Sequence, residues 1–180
     1  MCRQLIFAVS LVVLTAMVVA AEEQKAEEQK PESAAGAGTA IRLGPDDPKE
    51  KVKPGRVDED APQEFKSTKS GLRYRILRKG DKTKPAEADI VEVHYKGWFD
   101  DGTIFDSSYR TGNTVSFPLI RVIEGWTEGM QLVGKGGMIE LEVPAKLGYG
   151  EKGKKGVVPP NTRLHFIIEL IAVRQEFKFL

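Results

Sequence analysis

RLHFIIELIAV, Arg163 to Val173, decides the fold. Leu164, Phe166, Ile168 and Leu170 recur at every second position, the period of a strand. Working outward, MIELEV repeats that phase through Ile139, Leu141 and Val143. IVEVHYKGWF does so through Val91, Val93 and Tyr95, and GLRYRILRKG through Leu72, Tyr74 and Ile76. Short alternating runs separated by Gly, Pro and Asp predict half-buried antiparallel strands. One segment breaks the rhythm. In VIEGWTEGMQLV, Val122, Ile123, Trp126, Met130 and Val133 recur at three- and four-residue spacing, which predicts one short helix. The expected class is α+β, a mostly antiparallel sheet with a single helix on one face.

Upstream the texture changes. Residues 1–21 carry Arg3, then the apolar run LIFAVSLVVLTAMVVA, then small residues before EEQKAEEQK. That is the layout of a secretory signal peptide, with cleavage expected near Ala20 or Ala21. An uncleaved anchor is the alternative, although the run is short for a span of about 20 residues. Residues 22–66 show almost no apolar periodicity, and GPDDPKEKVKPGRVDEDAPQ sets four prolines among charges. Such a segment is expected to be a flexible spacer, because it offers little apolar area against its ordering entropy. A short element that orders on meeting a partner is the other reading. The folded domain is expected over 67–180.

The formal net charge is +1 over 180 residues, with 41% hydrophobic and 29% charged, which suggests no nucleic-acid or membrane-surface partner. Glu22 to Lys66 holds 12 acidic and 8 basic residues, and Ser67 to Leu180 holds 14 and 18. Cys2, the one cysteine, lies inside the expected signal segment, so a cleaved chain has no thiol for disulfide or metal chemistry.

Several motifs fail on inspection. GMQLVGKG has phosphate-loop spacing, but Gly136 stands where the magnesium-ligating Ser/Thr belongs. His94 and His165 fall out of phase with their apolar neighbours and without cysteine make a poor metal set. Glu140 and Glu142 lie opposite Ile139, Leu141 and Val143, so they are expected to face water. Ser107-Ser108 has no base that sequence can assign. What survives is aromatic and apolar. In GYGEKGKKGVVPPNTRLHF, a glycine- and lysine-rich loop ends on Val157-Val158-Pro159-Pro160 beside an aromatic strand. Either that tip folds into the core or it is held out as one wall of a shallow apolar pocket.

HYKGWFDDGTIFDSS, VIEGWTEGM and GYGEKGKKGVVPPNTRLHFIIEL resemble, in order, the signatures of FKBP-type peptidyl-prolyl cis-trans isomerases. The resemblance runs from about Gly71 to Val173. It implies five to six antiparallel strands wrapped around one short helix, and a pocket that holds a proline ring. By motif matching it implies Tyr95, Asp106 and Tyr149 as catalytic residues, with the Tyr149 hydroxyl donating to a substrate carbonyl. Phe105, Phe117, Val122, Ile123, Trp126, Val157, Val158 and Phe166 would bind substrate, with Trp126 as the floor and both valines held out toward it. The sequence departs from the pattern at Val115, where members often carry an aromatic residue, and at Lys154, where some carry His. The implied activity is rotation about X-Pro bonds in exported proteins, without covalent, metal or cofactor chemistry. A non-enzymatic peptide-binding module or a holdase chaperone using the same pocket is the alternative. Expected partners are X-Pro segments of unfolded or partly folded exported proteins, with macrolide inhibitors as a candidate ligand class. No nucleic acid is expected, and the membrane is met only through an uncleaved signal segment. The protein is expected to act as a monomer in the periplasm or secreted space, with an organellar lumen still open.

Overall fold

A computed structural model describes residues 41–175. The expected signal segment, its Cys2 and the first part of the expected spacer lie outside these residues. Seven strands form one sheet, β1 Lys66–Ser67, β2 Arg73–Arg78, β3 Ile90–Trp98, β4 Ile104–Ser107, β5 Val115–Pro118, β6 Met138–Val143 and β7 Leu164–Arg174. Their order is β1-β2-β6-β7-β3-β4, with β5 also paired to β3. Every pairing is antiparallel. β4 and β5 take successive halves of β3, at Lys96–Trp98 and Ile90–Val93. The seventh strand beyond the expected five to six is the two-residue β1, too short to leave a period in the sequence.

The helix α1, Glu124–Met130, packs on the front of the sheet. It starts later than the apolar spacing suggests, because Ile123 is still extended at ψ 148°, and it ends at Met130, before Val133. The in-phase residues Leu72, Val91, Val93, Ile139, Leu141, Val143, Leu164, Phe166, Ile168 and Leu170 are all buried there, with Trp126 and Met130 from the helix. Close approach depends on Gly129, where a Cβ would lie 2.8 Å from the Leu141 side chain. A larger residue would have to push the helix off the sheet.

The back of the sheet is covered too, and here the expected spacer is corrected. From Ile41 onward the chain lies across the back face rather than ranging free. Ile41, Leu43 and Val57 pack with Leu77, Trp98, Tyr109, Met138 and Ile167 in a second apolar cluster. The amides of Lys51 and Asp58 donate to the carbonyls of Tyr109 and Leu77 at 2.9 and 2.8 Å. This strap crosses from β3 past Glu169 of β7 to the edge of β2, where it becomes β1. Because it crosses strands, its apolar residues meet the sheet singly and leave no periodic mark.

That cover also corrects the expectation for the paired carboxylates. Glu140 is buried in an ion pair with Arg75, and Glu142 pairs with Arg73. Burial pushes the Glu140 carboxyl above its usual range, and the Arg75 guanidinium offsets part of that. The two histidines turn from the front core as their phase predicts. His94 stacks on Tyr109, and His165 stacks on Trp98 and bonds Asp100 at 2.6 Å.

Candidate functional site

A pocket of about 520 Å³ opens on the front, between the sheet, α1 and the long loop before β7. Its floor is Trp126, 4% exposed, at the start of α1. Tyr95 from β3, Phe117 from β5 and Phe166 from β7 meet the indole edge to face, with ring centroids 5.3, 5.7 and 5.3 Å away. Edge-to-face packing is favoured by the ring quadrupoles and fixes the indole plane. The indole nitrogen is buried without an acceptor among the described residues, so the floor presents carbon rather than a competing polar bond.

Phe105 reaches the same space from β4 and meets Phe166 at 5.7 Å while stacking on Phe99 at 4.8 Å. Gly97 makes this possible. A Cβ there would lie 2.6 Å from the Phe105 ring and 2.7 Å from Phe166, so a bare backbone on β3 admits both rings.

The polar groups sit at the rim. Tyr95 donates its hydroxyl proton to Asp106 Oδ2 at 2.7 Å. Burial raises the Tyr95 hydroxyl above its usual range, and the Asp106 hydrogen bond raises it further. That proton is therefore committed to the carboxylate. The Tyr149 hydroxyl bonds no described residue, and its ring lies 5.6 Å from Lys154 Nζ. The Val158 backbone bonds Lys154 in both directions at 2.8 Å, which closes the loop tip into a tight bridge.

The structure brings together every residue the resemblance picks out: Tyr95, Phe105, Asp106, Phe117, Val122, Ile123, Trp126, Tyr149, Val157, Val158 and Phe166 all line this pocket. One detail is corrected. The two valines are not both held out, since Val158 is 5% exposed and belongs to the front core while Val157 is 43% exposed. Both still border the pocket, Val158 from within the core and Val157 from the solvent side.

Arg121, Glu124, Gly148 and Lys154 also line the pocket, beyond the matched set. Arg121 and Glu124 flank Val122-Ile123, and their place beside that motif was the available signal. None of Asp106, Arg121, Glu124 and Lys154 is in an ion pair among the described residues, so the rim offers both signs of charge to a ligand. Ser108 does not line the pocket, although His94 Nδ1 lies 3.0 Å from its Oγ. The serine is buried, and its Oγ accepts the Tyr95 amide at 2.9 Å. Among the described residues there is no cluster of three metal-ligating side chains and no helix long and apolar enough to cross a membrane.

Comparison with known proteins gives the family of the chain. Residues 81–171 match the family model described as FKBP-type peptidyl-prolyl cis-trans isomerase. The chain is 48% identical over 110 residues to the FKBP-type peptidyl-prolyl cis-trans isomerase FkpA of Aeromonas hydrophila, covering 61% of this chain and 41% of that protein. It is 42% identical over 118 residues to the FKBP-type 22 kDa peptidyl-prolyl cis-trans isomerase of Escherichia coli, covering 65% and 57%. The crystal structure of FkpA from Escherichia coli superposes with a TM-score of 0.61 at 42% identity, over 63% of this chain and 53% of that one. The chain thus spans about half the length of these relatives.

Proposed function

The chain belongs to the FKBP-type peptidyl-prolyl cis-trans isomerase family, and on that premise we propose that it accelerates rotation about X-Pro bonds in exported proteins. The observation that carries this is the ring-lined hollow over Trp126, roomy enough for a proline ring with its flanking residues and edged by a tyrosine hydroxyl with no partner among the described residues. Resonance opposes the rotation by about 18–20 kcal/mol, and uncatalysed X-Pro exchange takes about 10–100 s. The twisted amide has lost that resonance and is less polar across its C–N bond. A dry apolar pocket disfavours the planar form relative to the twisted one, and fixed dipoles hold the latter. A thousandfold gain asks for only about 4 kcal/mol.

In this reading the proline ring lies on Trp126 between Tyr95, Phe117 and Phe166. Tyr149 donates to a substrate carbonyl, while Asp106, kept in place by Tyr95, polarises the wall near the reacting carbonyl. The open Val157 side chain and Ile120, 65% exposed beside the rim residue Arg121, extend the apolar contact to neighbouring residues of the client. The signal-like residues 1–21 support action beyond a membrane.

The test is exchange spectroscopy on a proline tetrapeptide, with and without a macrolide such as rapamycin. Accelerated exchange that the macrolide suppresses is the expected result. Unchanged exchange, together with suppressed aggregation of a proline-free client, would favour a holdase instead.

A further inference from the structure

We propose that Asp47 and Glu50 are positioning residues: from the covered back of the sheet they hold the two chain segments that carry Tyr95 and Asp106 into the pocket. The proposal rests on the isomerase reading of that pocket. Side chains alternate along β3, so Tyr95 enters the pocket and Lys96 turns to the back. There the Lys96 side chain is 3% exposed and that of Glu50 is 1% exposed. Lys96 Nζ lies 3.0 Å from Glu50 Oε1, off the direction a hydrogen bond needs, and donates to the Pro45 carbonyl at 2.9 Å. An ammonium enclosed this way is tolerated only while its countercharge and acceptor stay in place. The strap thereby fixes the residue next to Tyr95.

A second anchor serves the other partner of the Tyr95–Asp106 bond. Asp106 runs through Ser107 into a 3-10 turn, Ser108–Arg110. Arg110 Nε donates to Asp47 Oδ2 at 2.6 Å, and the Tyr109 carbonyl accepts the amides of Lys51 and Val52 at 2.9 and 3.4 Å. Ser108 Oγ ties the turn back to the Tyr95 amide. Strap, turn and β3 thus form a closed bracket behind the hydrogen bond at the pocket rim. The strap precedes residue 81, where the family match begins, so this support comes from outside the matched region. A reacting group displaced by 1 Å can lose about 100-fold in rate, so a bracket on both backbones bears directly on turnover.

The experiment uses the full-length chain carrying Glu50→Gln or Asp47→Asn, with Asp60→Ala as a control because its partner Lys79 is a surface residue. Hydrogen exchange at the Lys51, Val52 and Tyr95 amides, titration of the Tyr95 hydroxyl and kcat/KM on a proline peptide are measured. Both strap variants are expected to speed exchange at those amides, move the Tyr95 titration toward an ordinary tyrosine and lower kcat/KM about tenfold. Asp60→Ala should move none of these. Strap amides that exchange like free chain in the unmodified protein would overturn the proposal, as would variants that loosen the strap without moving the Tyr95 titration. If Glu50→Gln unfolds the chain, the double variant Glu50→Leu/Lys96→Met removes both buried charges together. Restored strap protection with restored turnover then supports positioning, and restored protection with turnover still about tenfold down overturns it. Exchange and titration need no turnover, so failure of the isomerase reading itself, no turnover in the unmodified chain, stays distinct.

Discussion

At the residue scale the two rim tyrosines divide the work by what their hydroxyls already touch. Tyr95 is spent on Asp106, whereas the Tyr149 hydroxyl bonds no described residue and only its ring meets Lys154. Tyr149→Phe and Asp106→Ala are each expected to lower kcat/KM about tenfold, the worth of one hydrogen bond. Their thermal unfolding midpoints should stay close to the unmodified protein's, since neither side chain holds the core. Gly97→Ala is the contrasting case. Its Cβ has to displace Phe105 and Phe166, so it is expected to cost about 1–3 kcal/mol in denaturant unfolding and to lower turnover as well. Most of the pocket-lining residues were legible because three motifs survive as contiguous strings, whereas Phe117 and Arg121 lie outside those strings. Gly97's reason was not, since it depends on rings from β4 and β7 that are distant in sequence.

At the scale of elements, strand phase was readable and strand surroundings were not. Alternation in MIELEV shows that Glu140 and Glu142 oppose the front core, but it says nothing about what lies on the other side. The strap supplies that, and it makes the back face sensitive to acid. The Lys49 amide is the largest influence lowering the Asp47 carboxyl, with Arg110 adding to it against burial. Burial pushes Glu169 up, but the Gly55 amide, Arg78 and Tyr109 outweigh it and leave it lowered. Facing these carboxylates are also Glu50 and Lys53 from the strap, and Lys96 and His94 from β3, where His94 is the register partner of Glu169. A lowered carboxyl stabilises the folded form fully above its ordinary value, 3.8 for Asp47 and 4.5 for Glu169. That stabilisation is lost as pH falls through the lowered folded values. Glu140 runs the other way, so its protonation offsets part of the loss. Hydrogen exchange at Lys51, Gly55 and Asp58 is therefore expected to lose protection below about pH 4, before the front-core amides do. Equal loss in strap and core would show that the strap does not open separately.

For the whole molecule, the sheet is sandwiched between α1 in front and the strap behind, with the pocket on the front. Trp126→Ala should cost about 3–5 kcal/mol in unfolding and abolish macrolide-sensitive turnover, because the same ring is core and floor. If residues 1–21 are an export signal, mass spectrometry of the exported protein should find its first residue just after Ala20 or Ala21. An intact Met1 on the exported protein would contradict that. The sequence by itself determined the class of fold, the phase of the principal strands, the one helix and most of the residues that share a pocket, because period and contiguous motif are local properties. Only the tertiary structure decided that residues 41–66 belong to the folded body, that Glu140 is buried, and that Val157 and Val158 part company. Each of those depends on which distant segment supplies a countercharge or a cover. Burial and pairing are relations between segments, and no single stretch of sequence contains both partners.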